Sequence, residues 1–345
     1  MKNKIAKITR RKNKTVLDPD ARVTNDTVAL HREEILRGAR KYIYPLQHSK
    51  HKLVIISVSI FVVAVVGFFS YVSFELYKSK TSSLFVYKVT KVVPFPVARV
   101  GSHFISYESY LFEINHYIHY YETQQSVDFK SDAGKAQLNE FKKRALQKVI
   151  DDYYIKEVAK QKNITVSDSE INDTIKIMRN QYRLSSSDAE LEAVLKDYWN
   201  WDMNDFKRSL KLQILNQKVL SSLDTTTHDK ANKAEAQLKN GKDFAQLAKE
   251  VSEDSVTKEA GGEYSFLIEK SNRDISPKII DTLFALKPGQ YSDVIDTGYG
   301  LEIVKNIENK NGKIRASHIA FNFKDINEFL NNQKDHQKAR MYLTL

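Results

Sequence analysis

His318 lies in the segment RASHIAF, Arg315–Phe321, and Glu302 lies in GLEIV, Gly300–Val304. Between them stands Asn311-Gly312, a dipeptide suited to the positive φ angles of a tight hairpin turn, with apolar and β-branched residues on both sides. The two arms of such a hairpin bring an imidazole and a carboxylate side by side, and the carboxylate then raises the pKa of the imidazole. Other chemistry is sparse. The chain has no cysteine, which excludes disulfides, thiolate metal sites and cysteine nucleophiles and suits a chain folding outside the cytoplasm. His116 and His119 share a helix face in HYIHYY. Without a nearby third ligand they read as surface or core residues rather than a metal pair. No nucleotide-binding motif or activated nucleophile stands out, so no cofactor and no metal are expected.

The elements that must position these residues follow a strongly uneven charge pattern. The chain of 345 residues carries a net charge of +11. Residues 1–51 hold 13 Lys/Arg against 5 Asp/Glu, whereas the rest holds 41 against 38. The basic character therefore belongs to an N-terminal tail, and no nucleic-acid-binding face is expected in the main body. Next comes LVIISVSIFVVAVVGFFSYVSF, Leu53–Phe74, 22 residues without a charge. At about 1.5 Å per residue such a helix spans a hydrocarbon core of roughly 30 Å. The basic flank from Arg37 to Lys52 predicts an N-terminus in the cytoplasm and later domains outside it.

Within the tail, KNKIAKITRRKNK reads as a charge run resting on anionic lipid or solvated, and Thr27–Tyr44 as a helix with Asn25 and Asp26 as cap candidates. Residues 78–96 read as a juxtamembrane connector, extended at VVPFP. VARVGSHFIS follows as a small hairpin about Gly101-Ser102, and Ser106 as the cap of SYESYLFEINHYIHYYE. From Lys135 to Leu223 apolar residues recur at three- and four-residue spacing, which predicts a run of helices that includes DAELEAVLKDYW and MNDFKRSLKLQILNQKVLSSL. The frequent aromatics there form a packed core or an exposed surface that grips unfolded chains. Beyond Lys230 the pattern turns to α+β: helices KANKAEAQLKNG, DFAQLAKEVSED and SPKIIDTLFAL, then strands in YSDVIDTGYGLEIVKNI. The last helix is expected from Asp325 to about Arg340.

KNGKDFAQLAKEVSEDSVTKEAGGEYSF, followed by LFALKPGQYSDVIDTGYGLEIVK, resembles a parvulin-type peptidyl-prolyl isomerase domain. The helical region before it, through KVIDDYYIKEVAKQKNITVSDSEI and MNDFKRSLKLQILNQKV, is similar to the chaperone domain of the SurA, PrsA and PpiD proteins. The fold expected is α+β. It comprises a basic tail (1–51), one transmembrane helix (52–77), a mostly helical chaperone domain with its connector (78–229), a small antiparallel-sheet parvulin-like domain (230–323) and a C-terminal helix (324–345). Parvulins begin with a strand ending in a Ser-His-Ile-type motif, yet SSLDTTTHD before Lys230 is polar and not strand-like. RASHIAF carries that motif after the last strand. In the family the first and last strands are antiparallel neighbours, so a hairpin joins them in a circular permutation; otherwise RASHIAF opens a second, truncated repeat.

The resemblance implies a membrane-anchored foldase outside the cytoplasm, with unfolded or newly exported polypeptides as partners and lipid contact through one helix. Its alternative is an inactive holdase of the same architecture, and a third reading is a tether at the membrane. Isomerisation breaks no bond; its barrier of about 18–20 kcal/mol comes from amide resonance. A catalyst holds the proline in an apolar pocket and stabilises the twisted amide. The resemblance makes His318, Asp254 and Thr297 the polar centre, with Glu302 where the family has a second histidine. Phe266, Ile275, Ile279 and Phe284 take the apolar pocket, with isoleucines at the family's Met and Phe positions.

Overall fold

Capping side chains set many helix starts in this chain, and the computed structural model describes residues 24–43, 45–182 and 187–345. The charge run within residues 1–23 lies outside the described residues. Two units are distinguished, Met1–Phe74 and Glu75–Leu345. In the first, α1 (Asn25–Ile43) starts two residues earlier than the sequence suggests. Thr24 and Thr27 exchange backbone-to-hydroxyl bonds of 3.0 and 3.4 Å across the start, so Thr24 rather than Asn25 or Asp26 supplies the cap. Helix α2 (Pro45–Tyr77) follows, and its stretch Lys52–Tyr77 is long and apolar enough to cross a membrane.

The second unit contains a helical region and a sheet region. Helix α3 (Leu84–Val92) occupies most of the expected connector, capped by Ser83, with Val86 and Thr90 buried. The extended chain predicted at the prolines begins only after it. Strands β1 (Pro96–Val100) and β2 (His103–Ser106) form the hairpin about Gly101, whose φ of 56° suits glycine. Ser106 then caps α4 (Tyr107–Thr123) as expected. Helices α5 (Asp132–Gln161), α6 (Asp168–Tyr182), α7 (Asp188–Trp199) and α8 (Met203–Leu223) follow. A reciprocal Asp202–Asp205 box fixes the start of α8. Of the aromatics between Lys135 and Leu223, Phe141 and Tyr154 are buried and Tyr198 is exposed.

Helix α9 (Thr225–Lys239) begins inside the polar stretch before Lys230, because Asp224 caps it through Thr227. After it come α10 (Phe244–Val251), a single 3₁₀ turn (Lys258–Ala260) and α11 (Pro277–Ala285). Strands β3 (Ile295–Asp296), β4 (Gly300–Lys310) and β5 (Lys313–Asn322) form an antiparallel sheet in that order. Strand alternation gives it two apolar faces. Leu301, Ile303, Ile319 and Phe321 pack on α9 and α10, whereas Val304, Ile314 and Ala316 pack on Ile279, Ile280 and Leu283 of α11. Each fully buried side chain of this size contributes about 1.5–3 kcal/mol.

The C-terminal segment is not one helix to Arg340. Helix α12 (Ile326–His336) ends early, and β6 (Ala339–Met341) adds to the free edge of β1. Lys334 pairs with Asp151 of α5 at 2.8 Å, and the Tyr154 hydroxyl donates to the Gln337 carbonyl at 2.5 Å. The sheet region is thus inserted between α8 and a C-terminal segment that returns to the helical region.

Candidate functional site

Strand β5 owes its place to backbone bonds on both sides. Towards β4 the register sets Gly300 opposite Asn322, Val304 opposite His318 and Asn306 opposite Ala316. The other edge is held by the loop after α10. Glu253 N–H donates to the Ala320 carbonyl at 2.8 Å, His318 N–H to Gly262 at 2.8 Å, and Tyr264 N–H to Ala316 at 3.0 Å. Gly262 makes that approach possible. Its φ is 80°, and a Cβ there would sit 2.1 Å from the His318 carbonyl oxygen.

The period of two places Glu302, Val304 and His318 on the α11 face of the sheet. His318 is only 8% exposed, and its ring is gripped from both ends. Its Nδ1 lies 2.9 Å from Glu302 Oε2, and its Nε2 lies 2.9 Å from both Asp254 Oδ2 and Thr257 Oγ1. The Thr257 hydroxyl donates to Asp254 Oδ2 at 2.5 Å. Tyr264 stacks on the imidazole with ring centroids 4.5 Å apart. With an acceptor at each nitrogen, the imidazolium form satisfies every partner. Burial alone would lower the His318 pKa, but hydrogen bonds and charge from Glu302, then Asp254, raise it above the usual value. Burial likewise opposes ionisation of Asp254, yet bonds from Thr257, His318 and the Val256 N–H hold it below the usual range. Burial, then the carboxylates of Glu302 and Asp254, pushes the Tyr264 hydroxyl far up, so it stays protonated.

Comparison with known proteins accounts for both regions. Residues 46–220, half of the chain, match the SurA-like N-terminal domain, and residues 215–308 match the PPIC-type PPIASE domain, a rotamase. The chain belongs to the SurA-like N-terminal domain family. It carries a parvulin domain as well. Similar proteins include a foldase protein PrsA from Clostridium botulinum, 25% identical over 221 residues, covering 53% of this chain and 65% of that one. Another PrsA, from Caldanaerobacter subterraneus, is 28% identical over 192 residues, covering 50% of this chain and 59% of its own. The chain thus spans less than two thirds of these relatives' length. A crystal structure of PrsA from Streptococcus pneumoniae aligns with a TM-score of 0.18 and 23% identity, covering 55% of this chain and 73% of that one.

In the sheet region the structure brings His318, Asp254 and Glu302 into one hydrogen-bonded cluster. Thr297 stands apart from it. Its N–H and Oγ1 both donate to the Gly300 carbonyl at 3.0 Å, closing the turn between β3 and β4. That turn is gripped by α8: the Ser221 hydroxyl donates to Asp296 at 2.7 Å, and Gln213 donates to the Tyr299 hydroxyl at 2.9 Å. Of the apolar set, Ile279 is fully buried and Ile275 is 7% exposed, so both are interior in this structure. Phe284 is half-buried against the same cluster, and Phe266 is exposed beside Tyr264, with ring centroids 5.8 Å apart. Sequence reasoning missed Thr257 and Tyr264. The signal was local: each stands within three residues of Gly261-Gly262 or Asp254, in the loop that must close over β5.

Proposed function

We propose that this chain is a membrane-anchored foldase that isomerises prolyl bonds and chaperones exported proteins outside the cytoplasm. The observation that carries the reading is the His318 cluster, built where a parvulin domain and a SurA-like domain share one chain. In this reading Asp254, His318 and Glu302 form the polar centre, and Thr257 positions Asp254. Tyr264 offers a protonated hydroxyl, and Phe266 and Phe284 supply apolar surface for the proline. Thr297 acts only through the turn it closes. A circularly permuted parvulin domain is supported by the pairing of β5 with β4 and by the end of the rotamase match at residue 308, before β5. The apolar stretch Lys52–Tyr77 and its basic flank favour one membrane span with a cytoplasmic N-terminus.

The test is a protease-coupled assay on proline peptides with the full-length chain in detergent. A rate above background, lowered at least about tenfold by His318→Ala, is expected of an acid–base or positioning role in the reaction. No rate, with aggregation of an unfolded client still suppressed, would replace the enzyme by a holdase. Protease added to intact cells should cut the second unit and spare the tail; the reverse pattern would overturn the topology.

A further inference from the structure

We propose that Asp254 and Glu302 set the charge preference of the site, favouring prolines next to a lysine or arginine and rejecting those next to an acidic residue. The inference rests on the isomerase reading and names its substrate class. Two carboxylates converge on one imidazole, so even a protonated His318 leaves the cluster one negative charge in excess. Both ring nitrogens are occupied, and His318 itself is almost wholly covered. The carboxylates are not covered. The Asp254 side chain is 25% exposed and that of Glu302 21%. The second oxygen of Glu302 has no hydrogen-bond partner among the described residues, which leaves an acceptor at the surface of the site.

Three cations of the sheet region are committed elsewhere. Arg315 forks onto Glu263 at 2.5 and 2.8 Å, Lys313 pairs with Glu269, and Lys278 donates to the Asp296 carbonyl at 2.9 Å. Beside the polar centre Val256, 86% exposed, and Phe266, 44% exposed, present apolar surface among exposed Ser255 and Glu259. Apolar surface beside a partly exposed, uncompensated carboxylate fits a proline whose neighbour is cationic. An acidic neighbour meets like charge, the repulsive half of a specificity device.

The experiment compares Ala-Lys-Pro-Phe, Ala-Ala-Pro-Phe and Ala-Glu-Pro-Phe peptides on the full-length chain, reading both kcat/KM and the Kd of labelled versions. The lysine peptide should exceed the glutamate peptide by about tenfold at low salt, and the ratio should shrink in 0.5 M salt. Glu302→Gln should lower that ratio whatever it does to the absolute rate, a readout that a merely structural role does not move. Equal values for the lysine and glutamate peptides, or a ratio insensitive to salt, overturn the charge preference and leave the isomerase reading standing. If no peptide is turned over but the lysine peptide still binds tighter, the preference stands and the isomerase reading falls. If none is bound or turned over, both fall.

Discussion

Two clusters of charge hold the second unit together, and they are built on opposite principles. In the helical region the Arg208 guanidinium of α8 forks onto Glu108 of α4 at 2.7 and 2.9 Å, reaches Ser109 at 3.1 Å, and lies 4.4 Å over the Phe112 ring. Its fixed positive charge cross-links regular helices. Burial would lower its pKa, but Glu108 raises it, so the guanidinium stays charged. In the sheet region the cation is an imidazole on one strand, and the groups around it come from the neighbouring strand and an irregular loop. The helical cluster is a permanent tie. The sheet cluster is a titratable one, held by a loop whose path depends on two adjacent glycines.

The largest effect should come from that loop. Gly262→Ala places a Cβ against the His318 carbonyl at a φ of 80° that L residues rarely adopt. The loop must leave β5, losing the Gly262 and Tyr264 backbone bonds and detaching Asp254 and Thr257 from the imidazole. A loss of about 3 kcal/mol is expected, from strain and broken pairing together. Urea denaturation with amide exchange at β5 measures it. Protection should fall in β5 and persist in α4, α5 and α8. Equal loss in both regions would show that the two clusters unfold as one and erase the contrast.

The next effect is the pH response of the two ties. His318 has a raised pKa, so its contribution is complete below its unfolded value of 6.5 and is lost as pH rises through the higher folded value. Asp254 has a lowered pKa, so its contribution is complete above its unfolded value of 3.8 and is lost as pH falls through the lower folded value. The sheet cluster should therefore stabilise most between about pH 3.8 and 6.5. Measured as the difference in denaturation midpoint between the parent chain and His318→Gln, the effect should peak in that window and decline above it. The same difference for Arg208→Met should stay flat from pH 5 to 8. A flat His318 profile would mean that the imidazole is neutral in the folded chain.

The contrast also explains what could be read from the sequence. The spans of α7 and α8 are legible because Ser187 and Asp202 cap them and apolar residues recur on one face. The contact between His318 and Glu302 is legible because a hairpin turn and a period of two determine which side chains meet. Helix α3 is not, since it is nine residues long and holds three Val and one Thr, which favour helix only weakly. Strand β6 is not either. Its Ala-Arg-Met alternates over only three residues, too few to mark a strand, and its partner β1 lies more than two hundred residues earlier, so only the tertiary fold makes it a strand. The same holds for Thr257 and Tyr264, which stand on a loop with no period to read.

Thr257 gives the smallest effect and the finest test of the contrast. Its hydroxyl donates to the Asp254 oxygen that also takes His318 Nε2–H, so it holds the carboxylate in line with the ring. Thr257→Val keeps the shape and removes that bond together with the 2.9 Å contact of Oγ1 to His318 Nε2. The cost in stability should be about 1 kcal/mol, the net worth of a single hydrogen bond. The informative readout is the acid limb of the pH profile, because Asp254 loses one of the bonds that keep its pKa low. That limb should move to higher pH, while the limb governed by His318 and Glu302 stays in place. If both limbs move together, the three groups titrate as one unit, and the cluster is a single coupled network rather than a ring held by two separate carboxylates.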